Sequence, residues 1–197
     1  MTIDDKPSPK EQDQIDRSLL DRISENQDRQ ALTQLYEHYR HPVGSFLSSK
    51  LREKKLIEEV FNDVMLVVWR KASSFQGKSK VSTWIFGIAY RTCLSHAKKE
   101  SKHTDQIQDD MLNDVADSTE SDLSQTLRAS MTELSDDHRT VIELAYYFGH
   151  SITEISEIID CPSSTVKTRL FYARQHLKKC IENHIGPVNK SAVTTSI

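Results

Sequence analysis

The sequence predicts an all-α protein made of two small helical domains joined by a flexible acidic linker. Apolar residues recur at helical spacings of three and four over long stretches, and almost no stretch alternates as a strand would. The 197 residues include only five Gly and five Pro, too few for a fold rich in turns. Charge also changes sign along the chain. Residues 50–103 hold twelve basic and five acidic residues, a net charge of +7, whereas residues 104–137 hold one and ten, a net charge of −9.

A leader and an extra helix are predicted for residues 1–27. The first ten residues contain two Pro and charges of both signs, a composition typical of a mobile terminus. Apolar residues then recur at three- and four-residue spacing over residues 12–24, which predicts a helix. Its apolar face consists of Ile15, Leu19, Leu20 and Ile23.

A second helix is predicted from about Asp28, where apolar and aromatic residues repeat at the same spacing. Pro42 is expected to interrupt or kink this helix, because proline has no N–H to donate and its ring clashes with the preceding turn. The helical spacing then resumes through Phe46 and Leu47 to Leu51.

Residues 56–72 are the most apolar stretch of the chain and contain two opposing signals. The four valines favour a strand. The apolar residues are nevertheless spaced three, one, three and four apart, over a length that exceeds an ordinary strand. Carboxylates in the first half, with Arg70 and Lys71 at the end, complement a helix dipole. We therefore expect a helix.

Residues 82–99 combine aromatic and basic side chains on a predicted helix that begins with a Ser or Thr cap. The aromatics are Trp84, Phe86 and Tyr90, and the basic residues are Arg91, His96, Lys98 and Lys99. Aromatic rings stack on bases and cations hold phosphates, which is how proteins bind single-stranded nucleic acid. The alternative is a helix whose aromatics fill the core and whose lysines face solvent, and these residues taken alone favour it at least equally.

Residues 101–122 are polar and acidic, which predicts the linker. A helical repeat begins at Leu123 and continues through Leu127, Met131 and Leu134. Ser135 and the two aspartates after it are expected to cap the next helix, over residues 138–148. Gly149 is expected to end that helix, because glycine readily adopts the left-handed conformation of a C-terminal cap.

Residues 151–179 have the pattern of a helix-turn-helix DNA reader. Ser151 and Glu154 have the spacing of a capping box, and four isoleucines recur there at helical intervals. Pro162 stops this helix, because the residue before a proline is biased away from helical geometry, and one of the two serines after it can cap the next helix. The buried stripe of that second helix is Val166, Leu170, Ala173 and Leu177.

The opposite face of the second helix is basic. Five cations and no carboxylate lie between residues 163 and 179, a charge of +5 in a chain whose total is −3. Such a face suits a polyanion, because Arg and Lys contact phosphates or guanine edges while Ser, Thr and Phe contact adenine or the thymine methyl. The alternative is an ordinary solvated face, which does not account for the aromatics beside the charges. This face carries Ser164, Lys167, Thr168, Phe171, Arg174 and Lys178.

Several classes of protein and site are not predicted. No apolar run approaches the length that spans a bilayer, and the first residues lack the hydrophobic core of an export signal, so a cytoplasmic protein is expected. Three isolated cysteines, Cys93, Cys161 and Cys180, indicate reduced thiols. No nucleophile, acid–base pair or phosphate-binding loop is visible, so no enzyme is predicted.

One spacing is compatible with metal ligands. His176, Cys180 and His184 fall four residues apart and would share a helix face. A structural zinc site requires a fourth ligand, and the sequence contains neither a CxxC motif nor a second cluster of ligands that could provide it. We therefore expect no metal site here and treat the three residues as incidental.

Two blocks of the chain resemble, in order, the small extracytoplasmic-function (ECF) group of bacterial sigma factors of the sigma-70 class, over about residues 28–182. The upstream block resembles sigma region 2 through LYEHYRHPVGSFL, IEEVFNDVMLVVWRKASSF and STWIFGIAYRTCLSHAKK. The downstream block resembles region 4 through SITEISEIIDCPSSTVKTRLFYAR. The resemblance implies region 2 at residues 28–100, a linker at 101–122, region 4 at 123–182 and a flexible tail at 183–197.

The resemblance implies a factor that binds the clamp and flap regions of core RNA polymerase and directs it to promoter DNA, reading the minus 35 duplex and melting the minus 10 element. It implies no cofactor and leaves an anti-sigma protein as a further partner. Polymerase contacts would come from Glu58, Glu59, Asn62, Asp63 and Val67. The melted strand would contact Phe75, Trp84, Tyr90 and Arg91. The minus 35 major groove would contact Ser164, Lys167, Thr168, Phe171, Tyr172 and Arg174.

A free-standing transcriptional regulator is the alternative, because STVKTRL also resembles the two-helix reader of LuxR-type proteins. Such a regulator would need a receiver or ligand domain upstream, normally with strands and a pocket. The pattern of residues 1–100 predicts neither.

Overall fold

The computed structural model describes residues 7–103 and 122–185, with side chains for 7–97 and 127–183. Within these ranges the chain forms α-helices, one 3-10 turn and one π-helical turn, and no strand. The prediction of an all-α fold is confirmed. The helices are α1 (Pro9–Asn26), α2 (Arg29–Ser48), α3 (Lys54–Lys71), α4 (Val81–His103), α5 (Asp122–Thr132), α6 (Asp136–Ile142), α7 (Ile152–Ile159) and α8 (Ser163–Ile185). No helix in the described ranges combines the length and the hydrophobicity that are needed to span a membrane.

The chain divides into two compact units. The first holds the described residues up to 103 together with Thr153–Cys161, and the second holds the remaining described residues. Residues 101–103, predicted as the beginning of the linker, are helical because α4 continues to His103. The rest of the predicted linker up to residue 121, and the predicted tail from residue 186, lie outside the described residues.

α1 begins earlier than predicted, because Ser8 forms a complete capping box. The Ser8 hydroxyl oxygen accepts from the Glu11 N–H at 3.4 Å, and the Glu11 carboxylate accepts from the Ser8 N–H at 2.8 Å. Pro9 in the first turn needs no N–H partner. Part of the predicted leader is therefore helical. Leu19, Leu20 and Ile23 are buried as predicted, but Ile15 is exposed, so the predicted apolar face is too wide.

α2 runs unbroken through Pro42, so the predicted interruption is wrong. Proline inside a helix costs roughly 3 kcal/mol, from the lost hydrogen bond and the ring clash. The four side chains that flank it, Tyr39, Val43, Phe46 and Leu47, are all buried. Burial stabilises a large apolar side chain by roughly 1.5–3 kcal/mol, so four of them together outweigh the cost of the proline.

The most apolar stretch of the chain forms a helix, α3, as the spacing of its apolar residues predicts and despite its four valines. Val60, Val64 and Val68 are buried at intervals of four, and Val67 is partly exposed. With α1, α2 and α4 this helix builds the core of the first unit, to which α4 contributes Ile85, Phe86, Ile88 and Ala89. The Phe46 and Phe86 rings meet edge to face, with centroids 5.4 Å apart.

In the second unit both predicted caps are present, but the helix that was predicted for residues 138–148 is divided in two. The Ser135 hydroxyl accepts from the His138 N–H at the start of α6, and Gly149 has a φ of 69°. Between them α6 ends at Ile142 and a π-helical turn occupies Glu143–Tyr147. In α8, Val166, Leu170 and Ala173 are buried as predicted, whereas Leu177 is only partly covered.

Candidate nucleic-acid interfaces

The turn before α8 is fixed by hydrogen bonds to the backbone. Asp160 has a φ of 51°, and the Cys161 carbonyl accepts from the Ser156 hydroxyl. The Pro162 carbonyl accepts from the N–H groups of Thr165 at 2.9 Å and Val166 at 3.2 Å. α8 begins directly after Pro162, as predicted. Its buried stripe then determines which side chains remain outside.

The predicted DNA-facing residues of α8 share one property, which is exposure to solvent. They are Ser164, Lys167, Thr168, Phe171, Tyr172 and Arg174. Phe171 is 53% exposed and Tyr172 is 54% exposed, with ring centroids 5.5 Å apart in an edge-to-face arrangement. Two adjacent aromatic rings left in water beside cations are atypical of a face that only meets solvent.

The cations of α8 differ in what they contact. Arg169 forms an ion pair with Asp137 of α6, and the Arg174 Nε donates to the Leu170 carbonyl at 3.1 Å. Lys167 has no ion pair with any residue in the described parts of the chain. The Lys167 ammonium is therefore free to contact a phosphate or a guanine edge.

A second set of predicted residues lies around the start of α4. Phe75 follows the 3-10 turn Ala72–Ser74, and its ring centroid lies 5.4 Å from that of Trp84 in the first turns of α4. Phe75, Trp84 and Tyr90 are each partly exposed, and Arg91 is exposed. The aromatics of this segment therefore divide between surface and core, because Phe86 is buried.

The loop that carries Phe75 is held by α1, in a contact that the sequence pattern did not predict. Arg17 donates to the carbonyls of Gly77 at 3.2 Å and Ser79 at 2.7 Å, and its guanidinium carbon lies 5.4 Å from the Phe75 ring centroid. Gly77 has a φ of 67°, and a Cβ there would lie 3.0 Å from the Arg17 Nη1. The positive φ therefore favours glycine at this position, and a larger residue would also press on the end of the Arg17 side chain.

The start of α4 is capped from α1 and not by its own sequence. The Asp13 carboxylate accepts from the Val81 N–H at 2.8 Å and from the Arg17 Nε at 2.8 Å. The predicted Ser or Thr cap is wrong, because Ser82 and Thr83 lie inside the helix. The only sequence signal was the four-residue spacing of Asp13 and Arg17, which is also typical of a plain surface ion pair.

The outer face of α3 carries the residues predicted to contact polymerase. Glu58, Glu59 and Asn62 are exposed, and Asp63 and Val67 are partly exposed. Two of these already have intramolecular partners: Asn62 Oδ1 accepts from the Tyr36 hydroxyl at 3.2 Å, and Asp63 Oδ2 lies 2.9 Å from His96 Nε2. Leu66 is 42% exposed on the same helix, which the sequence pattern did not predict.

Comparisons with known proteins decide the family. The Sigma-70 region 2 family model matches residues 35–103, and the Sigma-70 region 4 model matches residues 124–177. The chain is 30% identical over 172 residues to the ECF RNA polymerase sigma factor SigK of Mycobacterium sp. (strain KMS), covering 83% of this chain and 89% of that protein. The chain belongs to the sigma-70 family, in its ECF group. This sigma factor is also similar to the ECF RNA polymerase sigma-E factor of Haemophilus influenzae, with 29% identity over 188 residues, 88% of this chain and 96% of that protein.

Two solved structures have a similar fold. CnrH, solved in complex with the cytosolic domain of CnrY, has a TM-score of 0.62 at 16% identity, covering 86% of this chain and 98% of that one. RpoE from Bartonella quintana, solved in complex with the anti-sigma factor NepR, has a TM-score of 0.64 at 24% identity, covering 76% and 96%. At these identities the likeness establishes the helical fold of this sigma factor.

The family assignment distinguishes between the functions that the sequence left open. Sigma-70 factors are non-catalytic initiation factors that bind core RNA polymerase and promoter DNA, and this chain acts in promoter-directed transcription. A LuxR-like regulator shares only the helix-turn-helix, so it is not favoured for a chain whose residues 35–103 match region 2.

Proposed function

We propose that this sigma factor contacts the minus 35 duplex through the exposed face of α8. The observation that supports this most directly is the composition of that face. Six exposed side chains combine two cations, two hydroxyls and two aromatics, and no carboxylate occurs between residues 163 and 179. Helix-turn-helix proteins place such a helix in the major groove, with its N-terminal residues at the base edges. Ser164, Lys167 and Thr168 occupy those positions in α8.

The melted minus 10 strand is proposed to contact Phe75, Trp84, Tyr90 and Arg91. Three partly exposed rings and one exposed cation offer stacking surfaces and a phosphate contact, the two features that hold single strands. Capture of an unstacked base can offset a few kcal/mol of the cost of opening the duplex. The Phe75 ring is held in place for this role by Arg17 and by the Trp84 ring.

Core polymerase is proposed to contact the outer face of α3, through its clamp region. Glu58 and Glu59 provide exposed charge, Asn62 and Asp63 provide polar contacts, and the partly exposed Val67 lies beside them. To this set we add Leu66, because its exposed apolar side chain lies on the same helix and would be removed from water by a bound partner. The flap region is proposed to contact the second unit.

The two DNA-contacting surfaces lie on separate units of one chain. Once one surface has bound the promoter, binding of the other surface to the same DNA is therefore intramolecular. Polymerase then supplies the catalysis, and we propose that the chain itself catalyses no reaction and works in the cytoplasm. The step that the chain assists is opening of the DNA duplex, in which no covalent bond is broken.

An anti-sigma protein is proposed as a further partner. CnrH and RpoE were each solved with a second protein, CnrY and the anti-sigma factor NepR. A partner of this kind would cover the DNA- and polymerase-contacting surfaces of this chain. A co-purified complex that still bound core polymerase would count against this proposal.

Transcription with purified components tests the function. The full chain is added to core RNA polymerase, with no other initiation factor, on a library of promoter fragments, and transcript starts are mapped. We expect starts at defined sites that disappear when the chain is omitted. A chain that does not bind core polymerase, yet binds specific duplex sites unaided, would instead be a free-standing regulator.

A further inference from the structure

Three side chains with different ligand chemistry meet beside the C-terminal half of α8. Glu133 comes from the loop between α5 and α6, and His176 and Cys180 lie one turn apart on α8. Glu133 Oε2 lies 3.4 Å from His176 Nε2 and 3.4 Å from Cys180 Sγ, and the last two atoms are 3.5 Å apart. We propose that Glu133, His176 and Cys180 form a binding site for a divalent transition metal ion of the Zn²⁺ type.

The three separations match those around one tetrahedral ion. Zn²⁺ binds a thiolate at about 2.3 Å and imidazole nitrogen or carboxylate oxygen at about 2.0 Å, so tetrahedral angles place nitrogen and sulfur about 3.5 Å apart. The same angles place oxygen and sulfur at that same separation, and nitrogen and oxygen about 3.3 Å apart. The observed values are 3.5, 3.4 and 3.4 Å.

Direct hydrogen bonding accounts less well for the same geometry. A charge-assisted bond between imidazole and carboxylate is about 2.8 Å long. The separation between Glu133 Oε2 and His176 Nε2 is 3.4 Å, which is long for such a bond. The Cys180 thiol can donate its one hydrogen to Glu133, and its sulfur is only a weak acceptor for an N–H of His176. A shared ion satisfies all three atoms at once.

The chemistry of the donors selects the ion. Thiolate and imidazole favour Zn²⁺ and its neighbours in the transition series, whereas Mg²⁺ and Ca²⁺ require oxygen donors. Side-chain exposures of 61% for Glu133 and 40% for His176 leave the site open to water, which can complete the coordination. A bound ion would tie the loop before α6 to α8, the helix that carries the proposed minus 35 face.

Metal titration of the reduced full-length chain tests the site, with Zn²⁺ followed by calorimetry and Co²⁺ by absorption. We expect one ion per chain and a thiolate-to-cobalt charge-transfer band. Glu133→Gln, His176→Gln and Cys180→Ser should each weaken binding at least about tenfold, the size of effect seen even for residues around the ligands. Cys180→Ser should also remove the band. Cys161→Ser, the matched control, should bind with unchanged affinity and keep the band.

Absence of saturable Zn²⁺ binding at micromolar concentration would overturn the proposal. So would a Cys180→Ser chain that binds as the unaltered chain does, or loss of the Co²⁺ band in Cys161→Ser. Circular dichroism identifies any variant that fails to fold, and in that case the remaining ligand variants decide the same question. None of these measurements involves polymerase or DNA, so their outcome is independent of the proposed function.

Discussion

The guanidinium carbon of Arg17 lies 5.4 Å from the ring centroid of Phe75, across the interface between α1 and the loop that leads into α4. The same guanidinium donates to two carbonyls of that loop, at Gly77 and Ser79. The orientation of an aromatic ring proposed to contact the melted strand therefore depends on the first helix of the chain. α1 therefore packs as part of the first unit and positions the Phe75 loop.

Arg17→Gln is expected to reduce promoter opening while leaving minus 35 duplex binding unchanged. The substitution removes the cation over Phe75 and two hydrogen bonds to the loop, worth roughly 1 kcal/mol after discounting for solvent. Open-complex formation should fall roughly fivefold, measured as permanganate reactivity of minus 10 thymines in the reconstituted holoenzyme.

Arg22→Gln is the matched control for this prediction. Arg22 lies on the same helix, but it contacts Asp28 and not the Phe75 loop. Equal loss of opening in both variants would mean that Arg17 acts only through the stability of α1. Loss in Arg17→Gln alone places the effect at the loop.

The contrast between Ser135 and Asp13 shows which parts of the fold the sequence predicted. Ser135 caps α6 by accepting from the N–H of His138, only three residues along the chain, so the local pattern was sufficient. Asp13 caps α4 from 68 positions earlier in the chain, and no local pattern contains that relationship. Pro42 failed as a helix breaker for the same reason, since burial of the α2 side chains around it against other helices outweighs its local cost.

The candidate sites likewise include residues that local spacing predicts and residues whose position depends on contacts distant in sequence. The exposed face of α8 was predicted correctly because a buried stripe at helical spacing determines the opposite face. Residue type did not distinguish Trp84 from Phe86, and it is tertiary packing, including the contact with the Phe46 ring, that buries Phe86. Leu66 was missed because an apolar residue on an amphipathic helix is normally buried. Glu133 was missed because it meets Cys180 from 47 positions away.

Lys167→Ala is expected to weaken minus 35 discrimination by roughly 1–3 kcal/mol, if the ammonium contacts a base edge. The measurement compares anisotropy titrations of the holoenzyme on duplexes with the minus 35 element and with the same bases scrambled. Arg169→Ala should change discrimination less, because Arg169 is held in an ion pair with Asp137. Equal loss of binding on both duplexes would assign Lys167 to a phosphate contact.

Leu66→Ser is expected to weaken binding to core polymerase by about 1–2 kcal/mol, the value of removing a leucine side chain from a partly apolar contact. The measurement is competition between variant and unaltered chain for a limiting amount of core enzyme. Ile15→Ser is the control, because Ile15 is similarly exposed, at 46% against 42% for Leu66, but lies on α1. Unchanged binding in Leu66→Ser would remove this residue from the proposed surface.

Tyr39→Phe is expected to destabilise the first unit by roughly 1–3 kcal/mol, the cost of an unsatisfied buried acceptor. The Tyr39 hydroxyl donates to Asp16 Oδ2 at 2.5 Å, and Asp16 is only 2% exposed.

Burial, and then the Asp16 charge, raise the pKa of Tyr39 well above its ordinary value. Its contribution is therefore present below about pH 10 and is lost as pH rises further. Urea unfolding should show the deficit at neutral pH and a shallower alkaline decline in the variant; an unchanged midpoint at neutral pH would contradict the prediction.

Asp28→Asn is expected to lower the unfolding temperature at neutral pH, by an amount that shrinks as the solution is acidified. Asp28 Oδ1 caps α2 by accepting from the Gln30 and Ala31 N–H groups, and Oδ2 accepts from Arg22 at 2.6 Å. The hydrogen bond from Arg22 is the main cause that lowers the pKa of Asp28, with the Ala31 N–H next. A lowered pKa in the folded chain means that the stabilisation is present above about pH 4 and is lost as pH falls through the folded value. Asparagine keeps the capping oxygen but not the charge, so the two chains should converge in acid. Asp21→Asn, an exposed position on α1, is the control and should leave the unfolding temperature unchanged. A gap for Asp28→Asn that stays constant from neutral to acid would contradict the assignment of the charge to this cap.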